Sequence, residues 1–476
     1  MKIEELQIEE ILDSREERTI QFTIVNEYGS FIGSSPSGKS KGKFEAPAYR
    51  GGIEEDIEKI KIREDEIKEL EFNKFGDLIK IELLLKRDVG ANTLIALESA
   101  ILKAMAAEQR KQVWQLINPD ARIMPVPIVN VIGGGQHSHE KQKPDFQEFL
   151  IIPGETSVYD NKNIVDNIYK NIAGKLRWKE WKLFPGKNDE GAYNTKMTNI
   201  EIIEFLSQYE INKGLDVAAS TFYKNEAYLY STPIRILSRD EQIKSMINTI
   251  KNNNLVYVED PLNEEDFHGF AEILKGAGKC LVVGDDLTAT HPERLKKAIS
   301  MNAISGIIVK PNQSGSLLEV KKIIEIAKEN RIKIIMSHRS GETQDSILAD
   351  LAFGFSCDYI KISLGAGDQS KWERLIGIER SLVEAPEVEG IIEVREDKPA
   401  VKEMKDRARR TEYYDKERRY VRPAIPLSER RKEFSAAKED NLEKMGLSKE
   451  RYGAKGIQRA DLHKEKEKYK YSFEKK

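Results

Sequence analysis

Leu255-Val256-Tyr257-Val258-Glu259, Cys280-Leu281-Val282-Val283-Gly284-Asp285 and Gly306-Ile307-Ile308-Val309-Lys310 follow one another within residues 255–310. Each is a short, near-continuous apolar run, the pattern of a strand buried on both faces in a parallel sheet. Each ends in a charged residue and is followed by a longer helical stretch. The rhythm continues upstream in Gly214-Leu215-Asp216. Downstream it recurs in Lys333-Ile334-Ile335-Met336, which leads to His338, and in Asp358-Tyr359-Ile360-Lys361. The terminal polar residues are 43, 26, 25, 28 and 23 positions apart, roughly one strand–helix unit each. Repeated units of this kind over residues 123–384 predict a (β/α) barrel.

In a barrel the C-terminal strand ends meet at one mouth. Asp216, Glu259, Asp285, Lys310, His338 and Lys361 should therefore converge. Strands that merely end where polar residues begin would explain one of them. Six in succession, three acids followed by two lysines and a histidine, point to a shared site. The three carboxylates form an oxygen-only ligand set, with neither a cysteine nor a suitable histidine pair beside them, and this favours Mg²⁺. A lysine close to such a metal has its ammonium form disfavoured and moves toward the range of a general base. Metal and base together suit abstraction of a proton next to a carboxylate.

The flanks differ in character. Residues 1–122 open with strand-like alternation, Thr19-Ile20-Gln21-Phe22-Thr23-Ile24-Val25, and continue into helical patterns, notably Ala91 to Glu108. This predicts a small α+β domain. Residues 395–476 are rich in Lys, Arg and Glu. From 401 onward there are 24 Lys and Arg against 15 Asp and Glu, whereas the rest of the chain has 53 against 65. An acidic body with a basic extension results, and the extension reads as a solvated appendage. Contact with RNA or with a protein partner stays open for it. No apolar run is long enough to span a bilayer, and the N-terminus has no signal-peptide stretch. The two cysteines, Cys280 and Cys357, support no disulfide framework, so a reducing cytoplasm is expected.

Several segments resemble enolase motifs. They include Pro36-Ser37-Gly38-Lys39-Ser40, Asn130-Val131-Ile132-Gly133-Gly134-Gly135-Gln136-His137, Gln147-Glu148-Phe149 and Asp189-Glu190-Gly191. Further along come Val258-Glu259-Asp260-Pro261, Gly284-Asp285-Asp286-Leu287-Thr288, Lys310-Pro311-Asn312-Gln313 and Ser337-His338-Arg339-Ser340-Gly341-Glu342-Thr343. The resemblance runs from about residue 3 to 390, and the last segment is its most specific part. It implies an N-terminal α+β capping domain (1–122), an enolase-type (β/α)8 barrel of slightly irregular strand order (123–394) and a charged extension (395–476). The implied reaction is the reversible Mg²⁺-dependent dehydration of 2-phosphoglycerate to phosphoenolpyruvate, in a homodimer or larger ring.

Site roles carry over by position. Asp216, Glu259 and Asp285 match the ligands of a first Mg²⁺, and Ser40 matches the residue associated with a second. Lys310 matches the general base and Glu190 the acid that assists loss of hydroxide. His137, Gln147, Glu148, His338 and Lys361 match substrate contacts, Lys361 at the carboxylate. Arg339 and Ser340 match the phosphate site, where a planar guanidinium fits well.

The chain also departs from the family pattern. Lys39 and Lys41 stand in a loop that usually has small or neutral residues. The loop Gln136-His137-Ser138-His139-Glu140 is altered, Ala192 replaces a glycine, and Ile362-Ser363 replaces Thr-Gly before a shortened loop. An enolase-like paralogue with another substrate or no activity is therefore the alternative, as is a binding protein that works through its basic tail. Gly33-Ser34-Ser35-Pro36-Ser37-Gly38-Lys39-Ser40 also fits the P-loop pattern, but no amphipathic helix is expected after it.

Overall fold

A three-stranded antiparallel sheet opens the chain: β1 (Glu5–Leu12), β2 (Arg18–Asn26) and β3 (Gly29–Ser34). The alternation read from the sequence is visible in β2, where Ile20, Phe22 and Ile24 are fully buried. They face helix α1 (Ala91–Glu108), which is buried on almost every side. Gly33 lets β3 approach that helix backbone to backbone, because a Cβ there would lie 2.2 Å from the Ala96 carbonyl oxygen. Among the described residues after Gly33–Gly38, the first helix begins only at Ile53, which is not the strand–loop–helix context of a P-loop. The computed structural model describes residues 1–38, 42–138, 140–180 and 186–383. Ser40, His139 and the extension 395–476 lie outside them.

The barrel has eight strands. They are β4 (Val126–Gly133), β5 (Glu148–Ile152), β6 (Asn212–Asp216), β7 (Tyr257–Glu259), β8 (Leu281–Gly284), β9 (Gly306–Val309), β10 (Lys333–Ser337) and β11 (Tyr359–Lys361). They hydrogen-bond in sequence order, and β11 closes on β4. The irregularity lies in β5, which runs antiparallel to both β4 and β6. Only residues 134–147 join β4 to β5, no crossover helix lies among the described ones, and the chain returns as a hairpin. Two helices, α2 (Val158–Glu180) and α3 (Asn199–Leu206), then lead to β6. From β6 onward every barrel strand leads to a helix, β6 by way of a small three-stranded antiparallel sheet within residues 223–237: α4 (Arg239–Asn252), α5 (Phe267–Gly276), α6 (Pro292–Ser300), α7 (Leu317–Glu329), α8 (Ile347–Gly354) and α9 (Gln369–Val383). Several helix starts are encoded by capping boxes, such as Thr198 with Glu201 and Ser238 with Glu241.

Inside the barrel, Ile128, Leu150, Ile152, Tyr257, Val283, Ile308 and Ile335 form one buried apolar cluster. The helices and the N-terminal sheet share a second, larger apolar cluster around it. Both domains fall within one compact unit, Met1–Pro386. Among the described residues no helix is long and apolar enough to cross a membrane.

Candidate active site

Strand register assembles the site. In the ladders Asp216 is the direct partner of Glu259 on one side and of Glu148 on the other. Ser337 pairs with Lys361 across β10 and β11. Asp285 and Lys310 directly follow β8 and β9. The six strand-end residues predicted to converge do so. Asp216, Asp285, Lys310, His338 and Lys361 line one cavity, together with His137, Gln147, Glu148, Glu190, Arg339 and Ser340. Glu259 lies behind this surface, fully buried, and touches it through Lys361.

The charges pair in a way the sequence did not disclose. The Lys361 Nζ stands 3.1 Å from Asp216, 2.9 Å from Glu259 and 2.9 Å from Glu148. The Lys310 Nζ lies 2.5 Å from Asp285 Oδ2. Burial works to lower both lysines, but the facing carboxylates outweigh it and hold each ammonium above its ordinary range.

Around this centre the carboxylates diverge. Burial raises Glu259 well above the usual carboxylate range, and the charge of Asp216 adds to the effect. Asp216 is raised for the same reason, burial. Burial also works against charge on Glu148, but Lys361 and His137 prevail and hold it well below. Glu190 goes the other way, raised by burial despite His137. The two glutamates flank His137 Nδ1 at 3.4 and 3.6 Å. The same histidine thus stands between a carboxyl held below its ordinary value and one held above it.

Several residues that complete the site were not singled out from the sequence as working parts. Asn130 donates to Glu190 Oε2 at 3.2 Å. Tyr257 donates to Glu259 Oε2 at 2.6 Å from inside the barrel. Glu45 and Asn312 hold the Arg339 guanidinium at 3.0 and 3.1 Å. Gly38 abuts the same guanidinium, since a Cβ there would come within 2.7 Å of it. Asp260, in the left-handed region at φ 42°, accepts the backbone N–H groups of Asp285 and Asp286 at 3.0 and 2.6 Å and so fixes the turn after β8. Asn130, Asn312 and Asp260 lay within the quoted motifs. Glu45 had no such signal.

The residues suit a hard cation. Asp285 Oδ1 is buried and has no hydrogen-bond partner, an orphaned acceptor beside an excess of buried carboxylates. Two groups among the described residues have ligand atoms within 4.8 Å of one another: Asp260, Asp285 and Asp286, and His137, Glu148 and Glu190. The predicted triad of Asp216, Glu259 and Asp285 is not itself such a group; the first two face Lys361 and the third faces Lys310.

Residues 121–396 match the family described as Enolase, C-terminal TIM barrel domain. Over 401 residues the chain is 37% identical to an enolase of Sulfurisphaera tokodaii, an alignment covering 79% of this chain and 95% of that protein. It is 34% identical to an enolase of Archaeoglobus fulgidus over 403 residues (80% and 97%), and 34% identical to one of Ehrlichia ruminantium over 414 residues (80% and 97%). Barrel order, strand-end residues and these alignments agree, and the chain belongs to the enolase family.

Proposed function

We propose that the chain dehydrates 2-phosphoglycerate reversibly to phosphoenolpyruvate, with Mg²⁺ as cofactor. The observation that supports this most is the opposition, within one cavity, of two lysines and an arginine to a carboxylate centre, with Glu190 raised and Glu148 lowered beside it. Asp216, Glu259 and Asp285 would hold a first Mg²⁺, and Ser40 would serve a second. The bound cation would supply positive charge for an ene-diolate, as enolase-superfamily sites do.

The remaining work falls to side chains. Arg339, oriented by Glu45 and Asn312, takes the phosphate with Ser340. Lys361 takes the substrate carboxylate in exchange for the acids it now faces. Lys310 removes the proton from carbon 2. Lys310 contacts Asp285 Oδ2, and a cation held at the unpartnered Asp285 Oδ1 would disfavour the ammonium and move the lysine toward its basic form. Glu190 carries the proton that leaves with hydroxide from carbon 3. His137, Gln147 and Glu148 close the same wall, Gln147 donating to Asp216 at 3.4 Å.

The second reading, a paralogue acting on another phosphorylated or carboxylated substrate, draws on the departures from the family pattern, of which Ala192 and Ile362-Ser363 stand close in sequence to the cavity-lining Glu190 and Lys361. One assay separates the two. Purified protein with 2-phosphoglycerate should produce the ultraviolet absorbance of phosphoenolpyruvate with Mg²⁺ and lose it with a chelator. A folded protein that binds Mg²⁺ yet forms no product would overturn the first reading in favour of the second.

A further inference from the structure

Asp368 lies in the single turn Ala366–Asp368, between β11 and α9, and is 1% exposed. Its Oδ2 meets three donors: His338 Nδ1 at 2.6 Å, the Ser363 backbone N–H at 2.7 Å and the Ser363 hydroxyl at 2.6 Å. Lys371 stands 3.6 Å from its other oxygen and pairs with Glu342 at 2.9 Å. Three donors converging on one oxygen favour a charged carboxylate and fix its position. The Ser363 hydroxyl in turn accepts the Gly365 N–H at 3.0 Å, tying the shortened loop onto the same point. Ser363 stands where the family pattern has glycine, which has no hydroxyl to offer.

His338 has two ring nitrogens, and Asp368 occupies Nδ1. A neutral ring donating from Nδ1 leaves Nε2 bare, as an acceptor. An imidazolium carries hydrogen on both nitrogens. The ring lines the cavity that also holds Glu190 and Lys361. The charge on its partner therefore decides what His338 offers a ligand. We propose that Asp368 is a positioning residue which, held by Ser363 and Lys371, presents His338 to the cavity as a hydrogen-bond donor through Nε2.

The other charges around the ring divide. Glu190, from the turn after α2, and Glu342, from the loop after β10, favour the imidazolium. Lys361 on β11, Lys371 on α9 and the adjacent Arg339 oppose it. Burial also opposes it, but Asp368 outweighs burial and raises His338 to about 9. That the hydrogen bond is received by a 2-phosphoglycerate oxygen rests on the function proposed above. The pairing of Asp368 with His338 does not.

Nitrogen-15 NMR of the histidine side chains tests the pairing in the full chain without substrate, with the His338 signals assigned by their loss in His338→Gln. Both ring nitrogens should be protonated near neutral pH, and the ring should titrate near 9. In Asp368→Asn the midpoint should fall toward the ordinary histidine value of about 6.5, and Asp368→Glu should restore it. Ser363→Gly removes one of three hydrogen bonds without removing the carboxylate, so it should shift the midpoint the same way by less, and it serves if Asp368→Asn does not fold. In turnover of 2-phosphoglycerate, the alkaline limb of kcat/KM should move to lower pH in both variants. A neutral His338 in the wild type near pH 7, or a midpoint unmoved by either substitution, overturns the proposal. A charged His338 in a protein without turnover leaves the pairing standing and counts against the proposed function instead.

Discussion

Lys361 faces three carboxylates, and this single side chain shows what the residue pattern discloses and what it withholds. The alternation of apolar runs and polar ends identifies Lys361, Asp216 and Glu259 as neighbours at one barrel mouth. It does not say which ion is paired with which, because pairing depends on side-chain reach across strands. The Asp368–His338 pair is likewise invisible in sequence, with 29 residues, including α8 and β11, lying between its members. Its consequence for stability has a definite sign. The folded value of about 9 lies above the ordinary value near 6.5. The stabilisation is therefore fully present below about pH 6.5 and is lost as pH rises through about 9. Urea midpoints should fall across that window in the wild type and stay flatter in His338→Gln; parallel curves for the two proteins would show that the pair contributes nothing to this dependence. Glu259→Gln should also weaken Mg²⁺ binding by at least roughly tenfold, about 1.4 kcal/mol, as read by titration calorimetry. Unchanged affinity would remove Glu259 from the ligand set.

At the scale of elements, the parallel strands were legible because each apolar run is separated from the next by a helical stretch. Strand β5 was harder. Glu148-Phe149-Leu150-Ile151-Ile152 is apolar beyond its first residue and carries no direction of its own. The physical clue is that the 14 residues of 134–147 are close to the minimum of about a dozen for a crossover, and Gly134, Gly135 and Pro144 among them disfavour a helix. The interior cluster supplies the stability on which the site rests. Ile308 is fully buried among Ile335, Val283 and their neighbours, so Ile308→Ala should cost about 2–5 kcal/mol through lost burial and the cavity left behind. Chemical denaturation measures this directly, and a cost below roughly 1 kcal/mol would mean that the cluster collapses to fill the gap.

Across the whole molecule, an acidic barrel mouth and a basic extension set two expectations. Buried carboxylates in excess of their partners favour any state in which a cation neutralises them, so Mg²⁺ at a hundred times its Kd should stabilise the fold by about 2.7 kcal/mol. A thermal melt with and without chelator reports it, and identical melts would argue against an Mg²⁺ site. Residues after 396 lie beyond the matched family region, and their composition predicts that removing them leaves turnover intact. A folded but inactive truncation would assign the extension to the reaction. The central claim is that one cavity divides the reaction between Lys310 and Glu190, and exchange of the carbon-2 proton of 2-phosphoglycerate with deuterated solvent, followed by proton NMR, tests it. Lys310→Ala should abolish both exchange and dehydration. Glu190→Gln should suppress dehydration by about 10²- to 10⁴-fold while exchange remains measurable. Exchange at the wild-type rate in Lys310→Ala, or equal loss of exchange and dehydration in Glu190→Gln, would contradict that division.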